Sequence, residues 1–300
     1  MFDRIVECVP NYSEGRDLEK IQRIIAPFIS TAGCKLLDYK ADKDHNRVVV
    51  TVMGLPEAVK KAVVESFGIA VKEIDMNNHS GEHPRMGAVD VIPFIPIKNF
   101  SMDEAVILAN EVAREISEKY GQPIFLYEKA ASSPARENLA NVRKGEYEGL
   151  SEKLAKPEWK PDFGPTAPHP TAGATAICAR MPLVAFNINL GTNNIEIATK
   201  IGKSIRHLSG GYRFVKAMGV DLQEKGIVQV SINMTDYTKT SLYRVFETVK
   251  FEAERYGVSV VGSEIIGLAP MEALLDAAAY YLRLESFTME QIIESRLLES

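Results

Sequence analysis

One order of apolar periods occurs twice along these 300 residues, and few architectures accommodate it. In the first pass, Ile5–Asn11 reads as a short buried strand. Ile21, Ile24, Ile25 and Phe28 then recur at the spacing of one helix face, with Ser13 as the N-cap candidate. Cys34–Tyr39 and Asn46–Gly54 are β-branched or apolar runs on either side of the charged turn KADKDH. A helix follows over Pro56–Ile74, with proline in its first turn, and then a strand over Ala88–Ile97. A further helix, opened by Ser101 and Glu104 as a capping box, and a further strand, Pro123–Ala130, extend this half. The second pass repeats the order but not the residues. It runs from strand Pro182–Leu190 to helix Asn193–Leu208, then to strands Arg213–Leu222 and Gly226–Met234 about the turn QEKG. Helix Ser241–Gly257, strand Val258–Gly267 and a terminal helix Pro270–Leu282 complete it.

A β-α-β-β-α-β order is that of the split βαβ, or ferredoxin-like, plan. The expectation is an α/β (α+β) protein of two ferredoxin-like βαββαβ subdomains, residues 1–178 and 179–300, with a ligand cleft between them. Residues Arg136–Thr175 interrupt the pattern. Their last part, EWKPDFGPTAPHPTAGAT, is too rich in proline and glycine for a central strand or a long helix. Irregular stretches of this length inside compact proteins are usually functional loops.

Composition narrows the function classes. With 46% hydrophobic and 25% charged residues the chain is globular rather than disordered. A net charge of -5 argues against nucleic acid as the main partner. No apolar run reaches the roughly 18 residues of a membrane helix, and the N-terminus lacks the pattern of a secretory leader. The three cysteines, without a CxxC, suit neither a disulfide framework nor a cysteine zinc site. A cytoplasmic protein is expected. GxGxxG, GxxxxGK[ST] and GxSxG motifs are all absent, so dinucleotide, P-loop and hydrolase readings fall away.

Titratable chemistry concentrates in NNHSGEHPRMGAVDVIPFIPI, residues 77–97. His79 and His83 are four apart, a metal-binding spacing on a helix, but Gly81 and Pro84 oppose helix and no third ligand stands out. No metal is expected. Proton transfer suits a histidine better, since its ordinary pKa lies near neutrality and a carboxylate can fix its tautomer. Glu82, Asp90 and Asp38 are candidates for that carboxylate. Arg85 and Arg47 can hold a substrate carboxylate, and Asn46 can reach the same group from the start of its strand. Gly81 and Gly87 allow backbone to approach a ligand. Asn11 lies at a strand-to-helix junction, where anions are favoured. Asn11, Asp38, Asn46, Arg47, Glu82 and Arg85 are therefore the candidate substrate-binding residues.

The segment GEHPRMGAVDVIPFIPI resembles the signature of the formiminotransferase family. VECVPNYSEG, NRVVVTVMGLPEAV, GEYEGLSEKL, EWKPDFGP, GATAICAR, LVAFNINL, VQVSINMTDY, VVGSEIIGLAP and ALLDAAAYY resemble further family segments in the same order, over nearly the whole chain. The resemblance implies transfer of a formimino group from N-formimino-L-glutamate to N5 of tetrahydrofolate, possible polyglutamylation of the folate, a homodimer, and a separate cyclodeaminase to take the product. It places the catalytic histidine at His83. It places the folate-binding loop at Gly164, Pro165, Thr166, Ala167, Pro168, His169, Pro170, Thr171, Ala172 and Gly173. That loop departs from the family at Ala167, His169 and Ala172, where bulkier side chains are usual. The departure motivates one alternative, a folate-binding protein without turnover. The other alternative is a formyltransferase working between 5-formyltetrahydrofolate and glutamate, since formyl and formimino differ only by O against NH.

Overall fold

In the computed structural model, residues 3–299 are described, with side chains described through Arg296. Residues up to Arg180 pack as one unit and those from Met181 as another. The first unit begins with β1 (Ile5–Cys8) and β2 (Asn11–Tyr12), which together cover the expected first strand. Then come α1 (Leu18–Ser30), β3 (Cys34–Asp42), β4 (Arg47–Gly54), α2 (Pro56–Glu73), β5 (Val89–Lys98), α3 (Met102–Tyr120) and β6 (Ile124–Glu128). Short helices α4 (Leu139–Arg143) and α5 (Leu150–Leu154) precede β7 (Thr175–Ala179). The second unit holds β8 (Val184–Leu190), α6 (Ile195–Ile205), β9 (Val215–Leu222), β10 (Ile227–Met234), α7 (Leu242–Arg255), β11 (Val260–Ile266), α8 (Met271–Leu282) and α9 (Ile293–Glu299).

Both units have the ferredoxin-like strand order. In the second it is β11-β8-β10-β9, antiparallel throughout. In the first, β5 lies beside β1 and β2, these beside β4, and β4 beside β3, all antiparallel. There the sheet grows past β5 by two parallel strands, with β7 inserted between β5 and β6. The apolar run of β7 is buried at every position. It shows no alternation, and it follows a proline-rich loop, so periodicity does not betray it.

In the first unit, alternate strand residues such as Val48, Val50, Val52, Ile92 and Phe94 meet the apolar stripes of α1, α2 and α3 in one core. A second, smaller core forms on the opposite face, where Val91, Phe125, Tyr127, Ala176 and Cys178 meet Val142, Leu150 and Leu154 of α4 and α5. The irregular connection is thus a cover over one end of the sheet. The expected capping box at α3 forms, with Ser101 and Glu104 exchanging side-chain and backbone bonds. The expected N-cap of α1 does not. Helix α1 starts four residues later, and Asp17 accepts from the Glu19 and Lys20 amides. Ser13 is buried instead, its hydroxyl donating to the Gly87 carbonyl at 2.8 Å.

Candidate active site

The site is built where β4 begins and where β5 departs from regular pairing. Asn11 faces Val91 and Tyr12 faces Val89, so β5 carries one extra residue, Asp90, between them. This bulge turns Asp90 away from α1, α2 and α3 and toward α4. Asp90 is 1% exposed. Its Oδ1 accepts from the Met86 amide at 2.9 Å, and its Oδ2 accepts from Nη2 of Arg143 at the end of α4.

His83 sits beside this pair, with Nε2 3.8 Å from Asp90 Oδ2. That separation is an electrostatic contact rather than a hydrogen bond. Arg47, the first residue of β4, places Nη1 3.2 Å from His83 Nε2 and 3.4 Å from Nδ1. Asp90 is therefore the carboxylate that the fold brings to His83. Glu82 is exposed, its amide donating to the Asp44 carbonyl. Asp38 lies opposite Thr51 on β3, four residues along from the pairing of Asp42 with Arg47, or about 13 Å of strand. Burial, followed by the nearby charges of Arg47 and Arg143, pushes the His83 imidazole down to about 3. His83 is neutral at neutral pH in this arrangement.

His79 and Arg85 form a separate group. His79 Nε2 donates to the Asn46 carbonyl at 3.0 Å, which leaves Nδ1 to accept from Arg85 Nε at 3.3 Å. Burial lowers the His79 pKa, in keeping with this neutral tautomer. Arg85 is buried, and its guanidinium is committed to Glu148 at 2.6 and 3.0 Å and to Glu146 at 3.2 Å. Asn46 is likewise occupied, accepting from Gly15 N and donating to the Ser80 carbonyl, and its φ of 47° suits asparagine. Asn11 is buried on β2 and donates to its neighbour Val9. The glycines serve the protein's own backbone rather than a ligand. A Cβ at Gly81 would lie 2.4 Å from the His45 carbonyl oxygen, and one at Gly87 2.3 Å from those of Ala172 and Ala174.

Residues 164–173 fold as a clasp over the same region. His169 and Gly173 exchange backbone hydrogen bonds, and His169 Nδ1 accepts from the Thr171 and Ala172 amides. The departures at His169 and Ala172 are structural in kind: the first locks the turn and the second is buried in the main core. The Thr171 and Ala172 carbonyls accept from Met76 N and Ala88 N, which ties the clasp to the histidine loop. Gly164, Pro165, Thr166 and Ala167 are exposed. A cavity of about 530 Å³ is lined by Pro168, His169 and Pro170 with Met76, Asn77, His79, Tyr147, Glu148 and Ser151. A second, of about 460 Å³, is lined by His79, Ser80, Gly81, Arg85, Gly145, Glu146 and Glu148. Both are of small-molecule size, and they share His79 and Glu148. Among the described residues, no group of three or more His, Cys, Asp or Glu side chains is arranged to hold a metal ion.

Arg143 is the residue that sequence patterns miss. It lies 60 residues from His83, on a five-residue helix inside an irregular connection, and no spacing rule links the two.

Paired ferredoxin-like units, the first carrying a half-buried histidine and arginine against a buried aspartate, define an α/β protein of two related subdomains. The formiminotransferase family has this two-subdomain plan, and the chain belongs to it. The profile of the formiminotransferase domain's N-terminal subdomain matches residues 5–180, and that of the formiminotransferase domain matches residues 185–298. Glutamate formimidoyltransferase of Streptococcus pyogenes serotype M1 is 53% identical over 296 residues, which cover 98% of this chain and 99% of that protein. The protein of that name from Thermoplasma acidophilum is 44% identical, over 98% of this chain and 97% of its own. Formimidoyltransferase-cyclodeaminase of Gallus gallus is 44% identical over 99% of this chain but 56% of that longer protein.

Proposed function

We propose that this chain is a glutamate formimidoyltransferase. It takes the formimino group of N-formimino-L-glutamate and passes it to N5 of tetrahydrofolate, releasing L-glutamate and 5-formiminotetrahydrofolate in histidine degradation. The observation that carries the reading is end-to-end similarity, at 53% identity, to a relative of that name.

His83 is the general base and then the general acid. N5 of the folate attacks the formimino carbon, and His83 accepts the proton that N5 loses as the new C–N bond forms. The tetrahedral carbon then expels the glutamate nitrogen, and His83 returns the proton to it. One proton shuttles and no other reactant is consumed. Asp90 fixes the local field, and Arg143 holds Asp90 in place through the Nη2–Oδ2 hydrogen bond. The Pro168–Pro170 cavity is the seat for part of the folate. The proposal includes a cytoplasmic homodimer and a cyclodeaminase that consumes the product. No helix among the described residues is long and apolar enough to cross a membrane.

The test is direct. Purified protein, formiminoglutamate and tetrahydrofolate yield 5-formiminotetrahydrofolate, read by its absorbance and mass, faster than 5-formyltetrahydrofolate and glutamate yield formylglutamate. No product from the first pair, or faster turnover of the second, overturns the reading.

A further inference from the structure

The charges around His83 do not balance. Arg47 has the histidine ring as its side-chain hydrogen-bond partner, pairs with no carboxylate among the described residues, and keeps a buried Nε without a partner. Arg143 pairs with Asp90 through Nη2, and its Nε is also buried and unpartnered. One buried carboxylate therefore faces two guanidinium groups. A partly desolvated cation without a counterion is costly. It also opposes the task of its neighbour, since a histidine between two cations resists its proton. Arg85 shows the contrast, with two glutamates closing its fork.

We infer that Arg47 and Arg143 form the seat for a carboxylate of the substrate, and that filling this seat is what allows His83 to hold a proton. The identity of the substrate rests on the transferase reading: N-formimino-L-glutamate carries two carboxylates, and the seat takes one of them. The donors left for it are Nη2 of Arg47 and Nη1 of Arg143, which hydrogen-bond to none of the described residues. The buried unpartnered Nε–H groups show that neither fork is fully satisfied by the protein itself. The groups facing His83 are Arg47 from β4, Arg143 from α4, Asp90 from β5, His45 from the β3–β4 turn and Arg85 from its own loop. His45 is in turn held by Asp42 at 2.8 Å. Only one carboxylate among these lies against His83, so one added negative charge changes the balance most. With the seat empty His83 is a weak base. With it filled, a proton taken from N5 stays on the imidazole long enough to reach the departing nitrogen. The arginine pair thus limits proton transfer to the loaded enzyme.

The experiment follows the His83 Cε1–H signal in full-length protein labelled in histidine, over about pH 4 to 8. It is run alone, with saturating N-acetyl-L-glutamate, and with the neutral diamide of that compound. His83→Gln identifies the signal. In the wild type the free protein shows no protonation of His83 in this range. N-acetyl-L-glutamate brings the midpoint into it, and the diamide does not. Arg47→Gln and Arg143→Gln bring the midpoint into range without ligand, and each weakens N-acetyl-L-glutamate binding about tenfold or more. Arg47→Lys, which keeps the charge and the fold while losing the fork, binds with intermediate affinity. A His83 signal indifferent to N-acetyl-L-glutamate, or wild-type affinity in both glutamine variants, overturns the inference. No turnover is needed for this readout. A responsive His83 in a protein that transfers no formimino group would reject the transferase reading and keep the seat. An active protein with an unresponsive His83 would do the reverse.

Discussion

The two ferredoxin-like units share a strand order and differ in what they place on the sheet face away from the helices. In the second unit that face carries a ladder of amides. Gln229 donates to Asn189 and to Glu264, each at 2.8 Å, and Asn187 donates to Glu264 at 3.3 Å. Gln229 and Asn187 are buried, and no side-chain nitrogen or oxygen of the ladder is buried without a partner. In the first unit the same face holds Arg47, Asp90 and Arg143 beside His83, with two guanidinium nitrogens buried and unmet. Topology is therefore no guide to chemistry here. The informative difference is whether a buried polar group is satisfied by its own fold.

Four measurements sharpen or break this contrast. The largest effect is expected from His83→Ala, which should lower kcat about 100-fold or more while circular dichroism and folate binding persist. Near-normal kcat would remove the first unit's claim to the chemistry. Asp90→Asn comes next. It strands Arg143 beside Arg47, and thermal or denaturant unfolding should show a loss of about 3 kcal/mol together with slower transfer.

The third measurement is stability against pH. Folded His83 resists its proton down to about 3, whereas an unfolded histidine takes one near 6.5. Burial lowers His79 and His169 as well. Between these limits the unfolded chain binds more protons, so stability should rise with pH from about 3 to 6.5. His83→Gln should flatten that slope, and an unchanged slope would detach it from His83. The smallest effect is expected in the amide ladder. Gln229→Ala should cost about 1 kcal/mol and leave the pH slope as it was. A changed slope would show that the second unit also stores titratable strain.

Much of the fold was legible because both units obey simple periods. Val48, Val50 and Val52 alternate toward the helices, and Ile21, Ile24, Ile25 and Phe28 line one side of α1. What escaped depends on contacts between distant segments. Ser13 looked like a cap because serine favours that role, but its hydroxyl is taken by Gly87, 74 residues away. Gly81 and Gly87 looked like openings for a ligand, but carbonyl groups of the chain already fill the space where a Cβ would stand. At the site, His83 was legible through its motif. Among its candidate partners, Glu82 and Asp38 were indistinguishable from Asp90 until the bulge in β5 selected the last. Arg47 and Arg85 looked equivalent as well, and only the glutamates at positions 146 and 148 separate them.

That bulge has a consequence for how the protein can vary. Strand β5 must serve two masters: Ile92 and Phe94 belong under the helices, and Asp90 belongs on the other side with the arginines. Strict alternation forbids this, because 90, 92 and 94 share a parity. One surplus residue shifts the phase and permits both. Removing a single residue between Val89 and Val91 would restore perfect pairing with β2 and erase the carboxylate from the site. A shorter, more regular strand would thus improve the pairing with β2 while taking Asp90 away from His83.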